Sequence, residues 1–139
     1  LGVSGRVRVL PLLDNCLQPP LPTMRRALQW GRFLRRAVES FPGQGRIAVL
    51  ATGGISHDIA TPRMGAVNEA FDREFLRLLS AGDDDALVRF ATGHVNEAGN
   101  GAEEIRTWLV AHGAGGRRRG SPARRYPHRG STCPTGRRS

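Results

Sequence analysis

Residues 47–57 read Ile47-Ala48-Val49-Leu50-Ala51-Thr52-Gly53-Gly54-Ile55-Ser56-His57. The opening four residues form a continuous apolar run flanked by Gly45 and Gly53, the pattern of a strand buried on both faces. A glycine pair follows, then a histidine. In open α/β sheets, ligands lie in the crevice outside the carboxyl ends of the strands, and glycines let backbone come close to a bound molecule. The pattern therefore makes His57 the first candidate for chemistry.

On the amino-terminal side, Val7, Val9 and Leu10 alternate with Arg6 and Arg8, as in a strand open to solvent on one face that ends at Pro11. Beyond the proline-rich turn, Thr23 can cap a helix in which Ala27, Trp30, Leu34, Ala37, Val38 and Phe41 recur at helical spacing. Pro42 and Gly43 stop it, and the buried strand 46–52 follows. Strand, crossover helix and strand make one βαβ unit, so the fold class read from the sequence is α/β: a partial sheet with packed helices.

On the carboxyl side, 58–62 reads as a loop and a helix is expected from about Arg63 to Leu79, with Val67, Phe71, Phe75, Leu78 and Leu79 as its apolar stripe. These aromatics share a face with aliphatics, which marks core and not a base-stacking platform. Gly82 to Asp85 caps a short helix through Phe90. The stretch 93–101 reads as a glycine-rich turn, and a last helix spans about 102–112.

The 139 residues suffice for one domain with a core and are too few for two of ordinary size. All 21 basic residues are arginine, and they are unevenly placed: residues 1–114 hold 13 of them with all 12 acids, whereas residues 115–139 hold 8 and no acid. The domain 1–114 is thus nearly neutral and the segment 115–139 strongly basic. The segment's Arg/Gly/Pro-rich composition points to a disordered tail with nonspecific affinity for polyanions, or to a stretch read out of frame. Arg25, Arg32, Arg36 and Glu39 on the first helix read as a solvated face. Cys16 and Cys133 define neither a disulfide framework nor a thiolate metal site, so a reducing cytoplasm is expected. No apolar stretch approaches the length of a membrane span. Leu1 in place of an initiator methionine reads as a truncated start.

Five segments together resemble the carboxyl-terminal half of the class III extradiol ring-cleavage dioxygenases, over residues 5–114. They are Pro11-Leu12-Leu13-Asp14-Asn15 with Pro19-Pro20, Arg35 to Pro42, Gly53 to His57, Pro62 to Asp72, and Ala98-Gly99-Asn100-Gly101 with Glu104-Ile105-Arg106 and Trp108-Leu109. The resemblance implies ring cleavage of a catecholic acid beside its two hydroxyls, with non-haem Fe(II) held by two histidines and a carboxylate, and O2 as co-substrate. That ligand set suits Fe(II) and leaves positions open for both substrates. It implies that His57 is the acid/base residue, as an imidazole can take a proton and return it near neutral pH.

The family's carboxylate ligand precedes the Trp-Leu pair, a description that fits both Glu103 and Glu104. At 100° per residue, Ile105, Trp108, Leu109 and His112 define an inward arc that Glu104 borders and Glu103 opposes, which favours Glu104 as the metal ligand. The family's two histidine ligands lie in its amino-terminal half; His94, His112 and His128 match neither. The chain resembles half an active site and, alone, is expected to be inactive and marginally folded. Expected partners are a catecholic substrate and a homo-oligomer or small accessory subunit, without membrane or nucleic acid. Substrate-binding residues are not legible. Two rival readings remain open at this point, a non-enzymatic relative on the same fold and an arginine-rich nucleic-acid-binding protein acting through 115–139.

Overall fold

The computed structural model describes residues 8–43 and 45–115. The expectations for 115–139 as a tail fall, beyond Gly115, outside the described residues, as do Cys133 and His128. Four α-helices follow in chain order: α1 Met24–Ser40, α2 Glu69–Ala81, α3 Asp84–His94 and α4 Ile105–Gly115, with two short 3-10 turns, Val95–Ala98 and Asn100–Glu104, between α3 and α4.

Three of the four helix starts have a side-chain cap. Thr23 Oγ1 accepts the Arg26 N–H at 3.1 Å, as the sequence suggests. Asn68 Oδ1 accepts the Phe71 N–H at 3.1 Å, and Asp83 Oδ1 accepts the Ala86 N–H at 3.0 Å. Caps of this kind are worth about 1 kcal/mol each. The Asn68 cap starts α2 six residues later than the expected Arg63. The chain first makes a tight turn in which the Met64 N–H bonds the Thr61 carbonyl and Gly65 adopts φ +93°, a conformation no helix accommodates. The expected glycine-rich turn 93–101 is in fact the end of α3 followed by the two 3-10 turns.

The core lies between these helices. Phe75, Leu28, Leu87, Ile105 and Leu109 are fully buried, and each such burial is worth about 1.5–3 kcal/mol. Phe71 stacks on Phe90 with ring centroids 5.1 Å apart, and Phe75 meets the edge of Trp108 at 6.3 Å, so the aromatics are core as expected. α1 crosses α4 at backbone contact. A Cβ on Gly31 would fall 2.0 Å from the Val110 carbonyl oxygen, and one on Gly113 would fall 2.5 Å from that of Leu28.

Two expectations are met only in part among the described residues. First, no strand forms among the described residues. Segment 46–52 does run without helix or turn into the Gly53-Gly54 bend, but Ile47, Val49 and Leu50 are exposed and its backbone has no ladder partner. A strand exists only through its neighbours, so an apolar run alone cannot produce one. The same holds for Val9 and Leu10, and the βαβ unit is present only as its helix. Second, the buried face of α1 is Met24, Ala27, Leu28 and Gly31, while Trp30, Val38 and Phe41 are exposed. Crossing α4 at Gly31 keeps Ala27 and Leu34 of the expected stripe against the core and turns Trp30, Val38 and Phe41 away from it.

Candidate active site

The loop 52–59 is held against the helices by side chains. Thr107 Oγ1 donates to the Thr52 carbonyl at 2.6 Å and Trp108 Nε1 donates to the Gly53 carbonyl at 3.2 Å. Buried Ser56 is held twice: its N–H donates to Asp72 Oδ1 at 3.0 Å, and its Oγ accepts the Asn68 N–H at 2.9 Å. Further along, the Gly101 N–H donates to the His57 carbonyl at 3.1 Å. Two of the other four segments singled out in the sequence, Pro62 to Asp72 and Ala98 to Leu109, thus converge on this loop, held by hydrogen bonds from α2 and its cap, α4 and the 3-10 turns.

His57 and Glu104, 47 residues apart in sequence, meet here. His57 Nε2 lies 3.7 Å from Glu104 Oε2, and both side chains are about one-third exposed. Glu104 Oε2 also accepts the Gly54 N–H at 2.8 Å. Its other oxygen, Oε1, has no hydrogen-bond partner among the described residues. His57 Nδ1 lies 3.3 Å from the Ile55 carbonyl.

Glycines make this apposition sterically feasible. Gly53 has φ +101°, and a Cβ there would stand 2.5 Å from Glu104 Oε2; a Cβ on Gly101 would stand 2.2 Å from His57 Nε2. The sequence suggests that the Gly53-Gly54 pair makes room for a ligand. In the structure Gly53 makes room for the carboxylate of Glu104 and Gly54 for the His57 ring, whose Nδ1 would lie 2.9 Å from a Cβ there.

Glu103 is turned elsewhere. It pairs with Arg106, which is buried and also donates through Nε to the Pro22 carbonyl at 2.6 Å. Glu103 and Glu104 sit in a 3-10 turn and not in the expected α-helix, and Glu103, expected to point away from the inward arc, turns instead to the buried Arg106, while Glu104 meets His57. The other histidines stand apart: His94 pairs with Glu97 at 3.0 Å and His112 with Asp84 at 2.9 Å. Asp84 also accepts from Arg32, and Asp85 from Arg25, so much of the α1 arginine face is engaged in ion pairs. Asn100, Ser56, Asn68 and Asp72 support the loop; the sequence offered only their presence in the matched segments as a signal.

The family model for the catalytic LigB subunit of aromatic ring-opening dioxygenase matches residues 2–132. The chain belongs to this family. The match extends past residue 114, where the sequence reading ends the domain. Among LigB relatives, gallate dioxygenase of Pseudomonas putida is 40% identical over 112 residues, covering 79% of this chain and 32% of that protein. The 2,3-dihydroxyphenylpropionate/2,3-dihydroxicinnamic acid 1,2-dioxygenases of Photorhabdus laumondii and Paraburkholderia xenovorans are 28% and 29% identical, covering 78% and 81% of the chain. The chain spans from a third to half the length of these curated relatives. The LigB family's reaction consumes O2. Among the described residues, however, no three His, Cys, Asp or Glu side chains come together as a metal-binding group. The loop brings together one carboxylate and one imidazole, Glu104 and His57. No helix among the described residues is long and apolar enough to cross a membrane.

Proposed function

We propose that this chain contributes the acid/base and carboxylate wall of an extradiol dioxygenase site that opens the ring of a hydroxylated aromatic acid in the cytoplasm. The observation that carries the reading is the apposition of His57 and Glu104, with Glu104 Oε1 left free. Glu104 is the Fe(II) ligand from this chain, and the histidine ligands come from outside the described residues. Fe(II), when bound, brings catecholate and O2 together. Segment 46–52, apolar and unpaired, enters the sheet of the completed α/β domain.

The proton chemistry follows from the loop. A proton on His57 Nδ1, donated to the Ile55 carbonyl, leaves Nε2 as the acceptor for a substrate hydroxyl proton. Nε2 faces the carboxylate of Glu104, 3.7 Å from its Oε2. Proton acceptor and proposed ligand therefore address one substrate from one wall.

The test is a chimera in which this chain's residues replace the matching stretch of the Pseudomonas putida gallate dioxygenase. The expected chimera binds Fe(II) and takes up O2 with gallate. His57→Ala then retains iron and loses about 10²-fold in turnover, whereas Glu104→Gln loses iron. A chimera that folds and binds iron but never opens a ring refutes the proposal, as does iron loss in His57→Ala with turnover per iron unchanged.

A further inference from the structure

Asn100 joins the two halves of the site. Its side-chain oxygen accepts the Ile59 N–H at 2.7 Å, and its side-chain nitrogen donates to the Ile59 carbonyl at 3.0 Å. Its backbone N–H donates to Asp58 Oδ1 at 3.3 Å, and the adjacent Gly101 N–H holds the His57 carbonyl. Residues 57–59 are thus tied down by four hydrogen bonds from two consecutive residues. The carboxamide offers one donor and one acceptor to a single residue's backbone, the pairing a neighbouring strand would give.

Asn100 is also the first residue of the 3-10 turn Asn100–Glu104, and Glu104 is its last. Five residues in this conformation span only about 10 Å, too short to bend independently. One end of the turn therefore holds the His57 segment, and the carboxylate at the other end holds the Gly54 N–H. Asn100 itself is exposed and outside the apolar core.

We infer that Asn100 is a positioning residue that sets the separation of His57 from Glu104, a role that rests on the function proposed above. Other side chains do this less well. Asp at this position keeps the acceptor and loses the donor; Ala loses both.

Two arms test it. In the full 139-residue chain, Asn100→Ala speeds hydrogen exchange of the Ile59 amide by about 10-fold or more and abolishes the nuclear Overhauser contact between the His57 ring and Gly101 Hα. Asn100→Asp retains most of the Ile59 protection. An unprotected Ile59 amide in the parent chain, or an unchanged His57–Gly101 contact in Asn100→Ala, overturns the inference. In the chimera, Asn100→Ala lowers kcat by about 10-fold with KM and iron content unchanged. The same change made on top of His57→Ala has no further effect. A loss that adds fully to that of His57→Ala overturns the positioning role. A parent chimera without ring opening refutes only the proposed function, because the exchange and contact arm still decides whether Asn100 fixes His57.

Discussion

Replacing Gly101 by alanine puts a methyl group where the turn meets the His57 ring. The new Cβ would stand 2.2 Å from His57 Nε2, 2.4 Å from Cδ2 and 2.8 Å from Cε1. An ordinary carbon contact is about 3.5–4.0 Å, so the ring must retreat by more than about 1 Å or the turn must lift. Overpacking of this size costs about 1–3 kcal/mol, and each kcal/mol lowers the melting temperature of a domain near 100 residues by about 4–8 °C. The three nearest atoms all belong to the His57 ring, which makes the cost conditional on that ring. In a His57→Ala background, Gly101→Ala is expected to cost almost nothing, a coupling read directly from a double-mutant cycle of thermal or urea melts. Gly93→Ala is the internal control: its Cβ meets nothing within 4 Å, it lies in α3, and alanine there should stabilise by about 0.5 kcal/mol. Equal costs of Gly101→Ala with and without the His57 ring would refute the placement of that ring against the turn.

Glu103→Ala should destabilise the chain by about 3 kcal/mol, because it leaves the buried Arg106 guanidinium without its carboxylate; Glu104→Gln should barely move the melting midpoint while removing iron binding from the chimera, and the reverse pattern would exchange their roles. Asp84 gives a pH signature. Burial acts to raise its carboxyl pKa, but hydrogen bonds from Arg32 and His112 outweigh that and hold it below the usual aspartate value. A depressed carboxyl stabilises above its unfolded pKa and loses that contribution as pH falls through the folded value. The stability gap between the parent and Asp84→Asn should therefore be full near pH 5 and shrink steadily below about pH 4; a gap that widens on acidification would contradict the ion pairs. Cys16 should be nearly inert to iodoacetamide at pH 8. Burial, reinforced by the negative charge of Asp14, pushes its thiol up to about 11, leaving roughly 0.1% thiolate; rapid alkylation at Cys16, read by peptide mass spectrometry, would place it in a different environment.

Local chemistry was legible in the sequence by itself. Thr23 caps the helix it was expected to cap, Asp83 within the expected stretch 82–85 caps the next but one, and Phe71 and Phe75 are core. These features depend on spacing within a few residues, which is all a helix cap or an amphipathic stripe requires. Glu104 and Glu103 do part, Glu104 to the His57 loop and Glu103 to Arg106, but the outward direction expected of Glu103 is not kept once a 3-10 turn replaces the α-helix. The tertiary structure alone decided the rest. Whether Ile47 to Leu50 is a strand depends on partners that lie elsewhere, and apolar character cannot supply them. The stripe of α1 that is buried depends on where α4 crosses, fixed by contact between Gly31 and Val110. Above all, the 3.7 Å between His57 and Glu104 comes from hydrogen bonds across 41 to 55 residues of chain, made by Asn100, Thr107 and Trp108. Such bonds join groups with no sequence relation, so their geometry exists only once the helices have packed.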